Sequence, residues 1–162
     1  MGKLIIVNPD LCTGCRLCEL ACSLQHYKEV APSRSRINVV KWDAKAIDIP
    51  VLCLQCYNPV CATACPTKAI YRDNERELVV IDKDKCIECK SCMYACPIGG
   101  ITIDPVEGEV IKCDLCGGDP QCVAFCPTGA LEFVEADRTA LHKRRAAAEK
   151  MSRVIDILMG GR

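Results

Sequence analysis

At 162 residues and 4% aromatic, the chain is long enough for one domain or two small ones but short of the large side chains that build a conventional core. Basic and acidic residues balance at 21 each, so nothing suggests a nucleic-acid partner. Sixteen cysteines narrow the class to disulfides, zinc sites or iron–sulfur clusters.

The first predicted element is a strand, KLIIV at residues 3–7, with no partner nearby in sequence. Its apolar run is too short for the core of a secretory signal, and no twin arginine precedes it. No segment approaches the length of a membrane span. The expected compartment is the reducing cytoplasm, where thiols serve as metal ligands rather than bridges; export on a partner's signal stays open.

Four cysteine phrases follow, with no cysteine left over. The first is Cys12, Cys15, Cys18 and Cys22, spaced C-x2-C-x2-C-x3-C. Ser23 rather than proline comes next, so this helix is expected to run on through about Tyr27. A loop with Pro32, a strand at residues 36–42 and an approach strand at 47–53 then form an addition that reads as a cap over a cluster. The second phrase, Cys53, Cys56, Cys61 and Cys65, has its middle gap widened by YNPV and ends in Pro66. Ala69–Tyr71 and Leu78–Ile81 read as a hairpin around a polar turn. The third phrase, Cys86, Cys89, Cys92 and Cys96, repeats the spacing of the first and ends in Pro97. A second hairpin, Ile101–Ile103 and Glu109–Ile111, turns at DPVEG. The fourth phrase, Cys113, Cys116, Cys122 and Cys126, is widened by GGDPQ and ends in Pro127. A strand, ALEFV at 130–134, follows. In the tail, 136–162, Asp137 or Thr139 can cap a helix whose apolar stripe is Ala147, Met151, Val154, Ile155 and Leu158. That helix is expected to dock on a catalytic subunit, on another copy or on the chain's own surface, with a membrane surface as a further alternative because its N-terminal half is basic.

C-x2-C-x2-C-x3-C-P is the bacterial ferredoxin phrase. Three cysteines wrap one corner of a cube, and the fourth sits a helical turn on. Proline disfavours helical geometry at the residue before it, so the helix stops there. Four-cysteine zinc sites are the competing reading, but zinc ribbons place longer spacers between their C-x2-C knuckles. In two-cluster ferredoxins the fourth cysteine ligates the other cluster. Applied to phrases two and three, that exchange gives one cluster on Cys53, Cys56, Cys61 and Cys96 and another on Cys65, Cys86, Cys89 and Cys92. The unpartnered strands at 3–7 and 130–134 suggest that phrases one and four form a second unit. Its clusters would rest on Cys12, Cys15, Cys18 and Cys126, and on Cys22, Cys113, Cys116 and Cys122. The expected fold is α+β: two bacterial-ferredoxin-like units, one inserted in the other, with short hairpins and helices and a C-terminal helix. The outer unit spans 1–35 and 98–135, and the inserted unit 36–97. Four [4Fe–4S](2+) cores on sixteen thiolates would leave the holoprotein near a net charge of about −8. The apo-chain is expected to be largely unfolded.

The four complete quartets, the widened CLQCYNPVCATACP and the run CDLCGGDPQCVAFCPTGAL resemble the four-cluster iron–sulfur subunits of molybdenum and tungsten oxidoreductases, the dimethyl sulfoxide reductase iron–sulfur subunit family. Similar subunits serve formate dehydrogenases, benzoyl-CoA reducing enzymes, some hydrogenases and carbon monoxide dehydrogenases. The resemblance covers roughly residues 4–134. It implies an electron-transfer subunit bound to a molybdenum- or tungsten-pterin catalytic subunit, foremost a tungsten aldehyde oxidoreductase. The second redox partner would be a flavin- or NAD-binding subunit or a soluble ferredoxin. A freely diffusing polyferredoxin is the alternative, and a structural zinc protein a remote one. No catalytic constellation is visible: His26 and His142 lack triad partners and read as surface residues. Arg16, Lys68, Lys90 and Lys112 are placed to favour reduced clusters, and Glu19, Glu88 and Asp114 to oppose them, unless each is an ordinary solvated charge.

Overall fold

The computed structural model describes residues 2–136, together with Ala148 and Met151. The tail helix expected beyond residue 136 therefore lies outside the described residues, except that Met151, from its apolar stripe, is helical and exposed. The described chain mixes short strands and helices, as the α+β expectation requires.

Strand β1, Lys3–Val7, pairs antiparallel with β8, Leu131–Glu135, with Ile5 opposite Phe133. Ile5 is fully buried, and two further backbone bonds, Asn8 N to Ala130 O at 2.8 Å and Ala136 N to Gly2 O at 2.9 Å, extend the ladder at both ends. The strand without a local partner thus finds one on the far side of all four cysteine phrases. Among the described residues the other three sheets are hairpins: β2 (Ile37–Trp42) with β3 (Ile47–Leu52), β4 (Ile70–Asp73) with β5 (Leu78–Ile81), and β6 (Ile101–Ile103) with β7 (Val110–Lys112). Boundaries differ from the sequence reading by one or two residues. Pro50 is tolerated in β3 because each sheet has only two strands, so a missing N–H can face away from the partner.

Helix α1, Leu17–Tyr27, carries Cys18, Ala21 and Cys22 on its buried face. It continues past Cys22 as expected, because Ser23 can occupy a helix interior: its hydroxyl donates to Leu20 O at 3.0 Å and accepts from Ala31 N at 3.1 Å. The helix stops at Lys28, whose left-handed backbone turns its N–H back to Leu24 O. In the other phrases the helices are single turns: α2 (Val60–Thr63), α3 (Ser91–Ala95) and α4 (Gln121–Ala124). Each ends one or two residues before the fourth cysteine, a little earlier than the proline rule alone indicates.

Two-stranded sheets are marginal alone and need a face to pack on. Here that face is built around the cysteines. One buried cluster joins Ile5, Ile37, Leu52, Leu115 and Leu131 to Cys18, Cys22, Cys53, Cys113 and Cys122; a second joins Ile70, Val79, Ile101 and Val110 to Cys92. Polar ties close the gaps. Glu19, fully buried, accepts Val39 N at 2.7 Å and Arg16 Nε at 2.8 Å, fixing β2 on α1. Arg34 grips the buried Asp104 through both oxygens (2.6 to 3.0 Å), reaches Glu29 and Glu107, and stacks on Tyr27. That clamp joins the segment after α1 to the β6–β7 turn.

Candidate iron–sulfur centres

None of the sixteen cysteines is in a disulfide, and their loops share one backbone device. The second residue inside the first C-x2-C knuckle of each phrase adopts a left-handed conformation: Gly14, Gln55, Glu88 and Leu115 have φ between +51° and +63°. This reversal folds the two cysteines of each knuckle toward one point. A second left-handed residue follows three of the fourth cysteines, at Lys68, Gly99 and Gly129.

The turns aim backbone donors at sulfur. Ala69 N lies 3.2 Å from Cys65 Sγ, and Gly100 N lies 3.3 Å from Cys96 Sγ. Arg36 N reaches Cys22 Sγ and Leu115 N reaches Cys113 Sγ, each at 3.4 Å. Hydroxyls able to donate to a thiolate lie beside three sulfurs: Thr67 stands 3.7 Å from Cys65, Thr128 3.8 Å from Cys126, and Ser91 3.4 Å from Cys89, where the thiol donates to the hydroxyl. Such donors stabilise a thiolate over a thiol. At Cys65 and Cys126 burial pushes the thiol up, but the converging donors outweigh it and leave both below the usual cysteine range.

At four other cysteines burial wins. It pushes Cys18 and Cys113 up to about 12 and Cys92 up to about 11, and Cys122 rises further, with its sulfur neighbours Cys113, Cys22 and Cys116 adding to burial. Thiols grouped and buried in this way stay protonated unless a cation replaces the protons. That donor chemistry fits a metal cluster.

The fold brings the cysteines of separate phrases together. Cys65 joins Cys86, Cys89 and Cys92 around one small cavity, walled by Ile70 and Val110. Cys126 joins Cys12, Cys15 and Cys18 around another, walled by Val39 and Leu131. Burial raises the thiols of Cys53 and Cys61, and Cys96 lies close enough to add to that rise. Gly100 explains that approach: a Cβ there would stand 2.8 Å from Cys53 Cα, so only glycine lets the turn after Cys96 close on the Cys53 loop. Cys22 on α1 meets the fourth phrase where α1 packs on α4.

Several neighbours were invisible in the sequence. His26, expected at the surface, is largely buried in its side chain; its Nε2 lies 3.8 Å from Cys116 Sγ and 3.4 Å from Asp114 Oδ1. Burial and the nearby Arg36 lower its pKa. Its place one helical turn beyond Cys22 is the only sequence signal, since α1 leads to the fourth phrase. His142 lies outside the described residues. Of the charges near ligands, Arg16, Lys68 and Lys90 are exposed, but Glu19 and Lys112 are buried and are not ordinary solvated groups. Glu88 accepts Val110 N at 2.6 Å, and Asp114 pairs with Arg36 at 2.5 Å. Gln55, buried between Cys53 and Cys56, gave no signal at all.

Residues 44–136 match the 4Fe-4S dicluster domain family, and residues 5–23 match the 4Fe-4S binding domain family. The chain belongs to the 4Fe-4S dicluster domain family. The iron–sulfur reading of its cysteines therefore stands over zinc. A Pyrococcus furiosus relative, named as the polyferredoxin-like subunit of an aliphatic sulfonate oxidoreductase, is 39% identical over 156 residues, covering 94% of this dicluster-family chain and 89% of the relative. The B subunit of the anaerobic dimethyl sulfoxide reductase of Escherichia coli is 32% identical over 151 residues, covering 81% of this sequence and 72% of that subunit. That relative agrees with the resemblance drawn from the cysteine phrases. Among solved structures, the active-site complex BamBC of benzoyl coenzyme A reductase with 1,5-dienoyl-CoA is similar, at 28% identity and a TM-score of 0.50, covering 82% of this chain and 75% of that one. Among the described residues, no helix is long and apolar enough to cross a membrane.

Proposed function

We propose that the chain is an electron-transfer subunit carrying four [4Fe–4S] clusters, without a catalytic site of its own. It passes electrons between a molybdenum- or tungsten-pterin catalytic subunit, foremost an aldehyde oxidoreductase, and a second redox partner, either a flavin- or NAD-binding subunit or a soluble ferredoxin. The clusters rest on Cys12, Cys15, Cys18 and Cys126; on Cys22, Cys113, Cys116 and Cys122; on Cys53, Cys56, Cys61 and Cys96; and on Cys65, Cys86, Cys89 and Cys92. The observation that carries this reading is the convergence of cysteines from different phrases, most directly at the two cavities each lined by four of them. The β1–β8 pairing supports an outer ferredoxin unit, residues 1–35 and 98–135, around an inserted one, 36–97. The named roles of the relatives support a subunit of a larger oxidoreductase.

A [4Fe–4S] cluster held by thiolates takes up and releases single electrons with little change of shape. The chain's own residues supply the rest. Short loops fix the four sites relative to one another, N–H donors steady the sulfurs, and Ile, Val and Leu side chains keep water from the buried cysteines. Anoxic purification at native abundance tests the proposal. The expected result is about sixteen irons and sixteen sulfides per chain, with a co-eluting catalytic subunit that contains tungsten or molybdenum. A chain that elutes alone at every salt concentration would instead be a diffusing polyferredoxin.

A further inference from the structure

Lys112 ends β7 with only 5% of its surface exposed. Its ammonium donates to two backbone carbonyls, Val79 O and, at 2.8 Å, Cys113 O. Among the described residues, none of the carboxylates forms an ion pair with it. Gln55 completes the arrangement. Its Nε2 donates to the same Cys113 carbonyl at 2.7 Å, and its Oε1 accepts Val79 N at 2.9 Å. A knuckle residue of the second phrase, a strand residue of β5 and the first cysteine of the fourth phrase thus meet around one buried positive charge.

A buried ammonium held by carbonyls alone is costly and calls for nearby negative charge. The groups best placed to supply it are cysteines. Lys112 directly precedes Cys113 in the chain, and although burial raises the thiols of Cys53, Cys61 and Cys113, its charge lies close enough to each to offset part of that rise. These three belong to two of the four centres, and the charge lies at their junction.

We propose that Lys112 is the shared counter-charge of the centres on Cys53, Cys56, Cys61 and Cys96 and on Cys22, Cys113, Cys116 and Cys122, and that it keeps both more easily reduced than the other two. This rests on the four-cluster reading above. A [4Fe–4S](2+) core with four thiolates carries a charge of about −2, and about −3 after one electron from a reductant. A fixed positive charge therefore favours the reduced form, and more so in a site of low dielectric. Gln55 is a positioning residue: it binds the carbonyl that Lys112 binds, and so holds the ammonium between the two cysteine loops.

The test is a reductive titration of the intact holoprotein followed by electron paramagnetic resonance, with signals assigned by Cys96→Ser and Cys22→Ser. Lys112→Gln keeps a donor for the carbonyls and removes the charge. At fixed ambient potential, the reduced-to-oxidised ratio of the two junction centres is expected to fall roughly tenfold, about 59 mV for a one-electron couple. The other two centres stay within about twofold, and Lys112→Arg restores the wild-type ratios. Equal shifts at all four centres, or none, would overturn the proposal. If Lys112→Gln fails to retain iron, Gln55→Glu decides. A carboxylate there neutralises the ammonium and lowers the same two ratios; unchanged ratios in the iron-replete variant overturn the proposal. A wild-type chain with well under about sixteen irons overturns the four-cluster reading instead.

Discussion

Replacing Glu19 tests whether a buried carboxylate, rather than apolar packing alone, fastens the β2–β3 hairpin to the first cysteine helix. Glu19 is fully buried and its Oε1 is the acceptor for Val39 N at 2.7 Å, while Val39 itself is 7% exposed. Glu19→Ala removes that acceptor and leaves the Val39 N–H buried without a partner, at a cost of about 1–3 kcal/mol. Arg16, on the other carboxylate oxygen, is half-exposed, so its loss adds only about 0–1 kcal/mol. Glu19→Gln keeps an oxygen for Val39 and gives up mainly the Arg16 contact, so it should cost about 1 kcal/mol or less. Cluster loss is irreversible, so the assay is a rate: bleaching of visible absorption in a fixed denaturant concentration under anoxic conditions. A loss of about 2 kcal/mol corresponds to roughly 30-fold faster bleaching if the contact is broken at the barrier. The expected order is wild type, Glu19→Gln close behind, and Glu19→Ala far faster. Equal rates for Glu19→Ala and wild type, or a Glu19→Gln as damaged as Glu19→Ala, would refute the reasoning.

Three further outcomes follow from the same geometry. The hydrogen bonds from Arg34 hold the Asp104 carboxyl down to about 2, below its usual value of about 3.9. Its stabilising contribution is therefore complete above about pH 4 and lost as pH falls toward 2; bleaching rates of Asp104→Asn should lack that acid-side rise. Gly100→Ala would put a Cβ 2.8 Å from Cys53 Cα, and backbone cannot yield as a side-chain tip does. Selective weakening of the electron paramagnetic resonance signal of the centre proposed on Cys53, Cys56, Cys61 and Cys96 is expected, with the others retained. Lys68 occupies a left-handed position that the third and fourth phrases give to Gly99 and Gly129; Lys68→Gly should relieve about 0.5–1 kcal/mol of strain and slow bleaching about twofold to fivefold.

The candidate site was legible in part from spacing, because cysteines that share one metal cluster must sit on a short loop. Cysteine intervals, terminal prolines and short apolar strands revealed the local elements within one or two residues. The long-range pairing of β1 with β8 was also legible, since KLIIV had no local partner and ALEFV held the matching place after Pro127. What spacing does not encode is the environment of charges. Glu19 and Lys112 look like any other polar residues in the sequence, yet tertiary packing buries them. Gln55 falls at a knuckle position where the other phrases use Gly, Glu and Leu, so residue type carried no hint of its bonds to Val79 and Cys113. Arg34 and Asp104 lie 70 residues apart, and nothing short of the folded chain brings them together.

The β1–β8 pairing also sets an order of events during synthesis. Val7 pairs with Leu131, so the first strand leaves the ribosome long before its partner exists. At ~5–20 residues per second, that wait is on the order of ten seconds. Throughout it, an apolar edge and the thiols of the first phrase stand open to oxygen and to wrong partners. The hairpin β4–β5 and the phrases beside it can close in the meantime, because their contacts are local. Metal loading should therefore proceed from the middle of the chain outward, with the N-terminal cysteines as the step most dependent on a protecting chaperone or an anoxic cell.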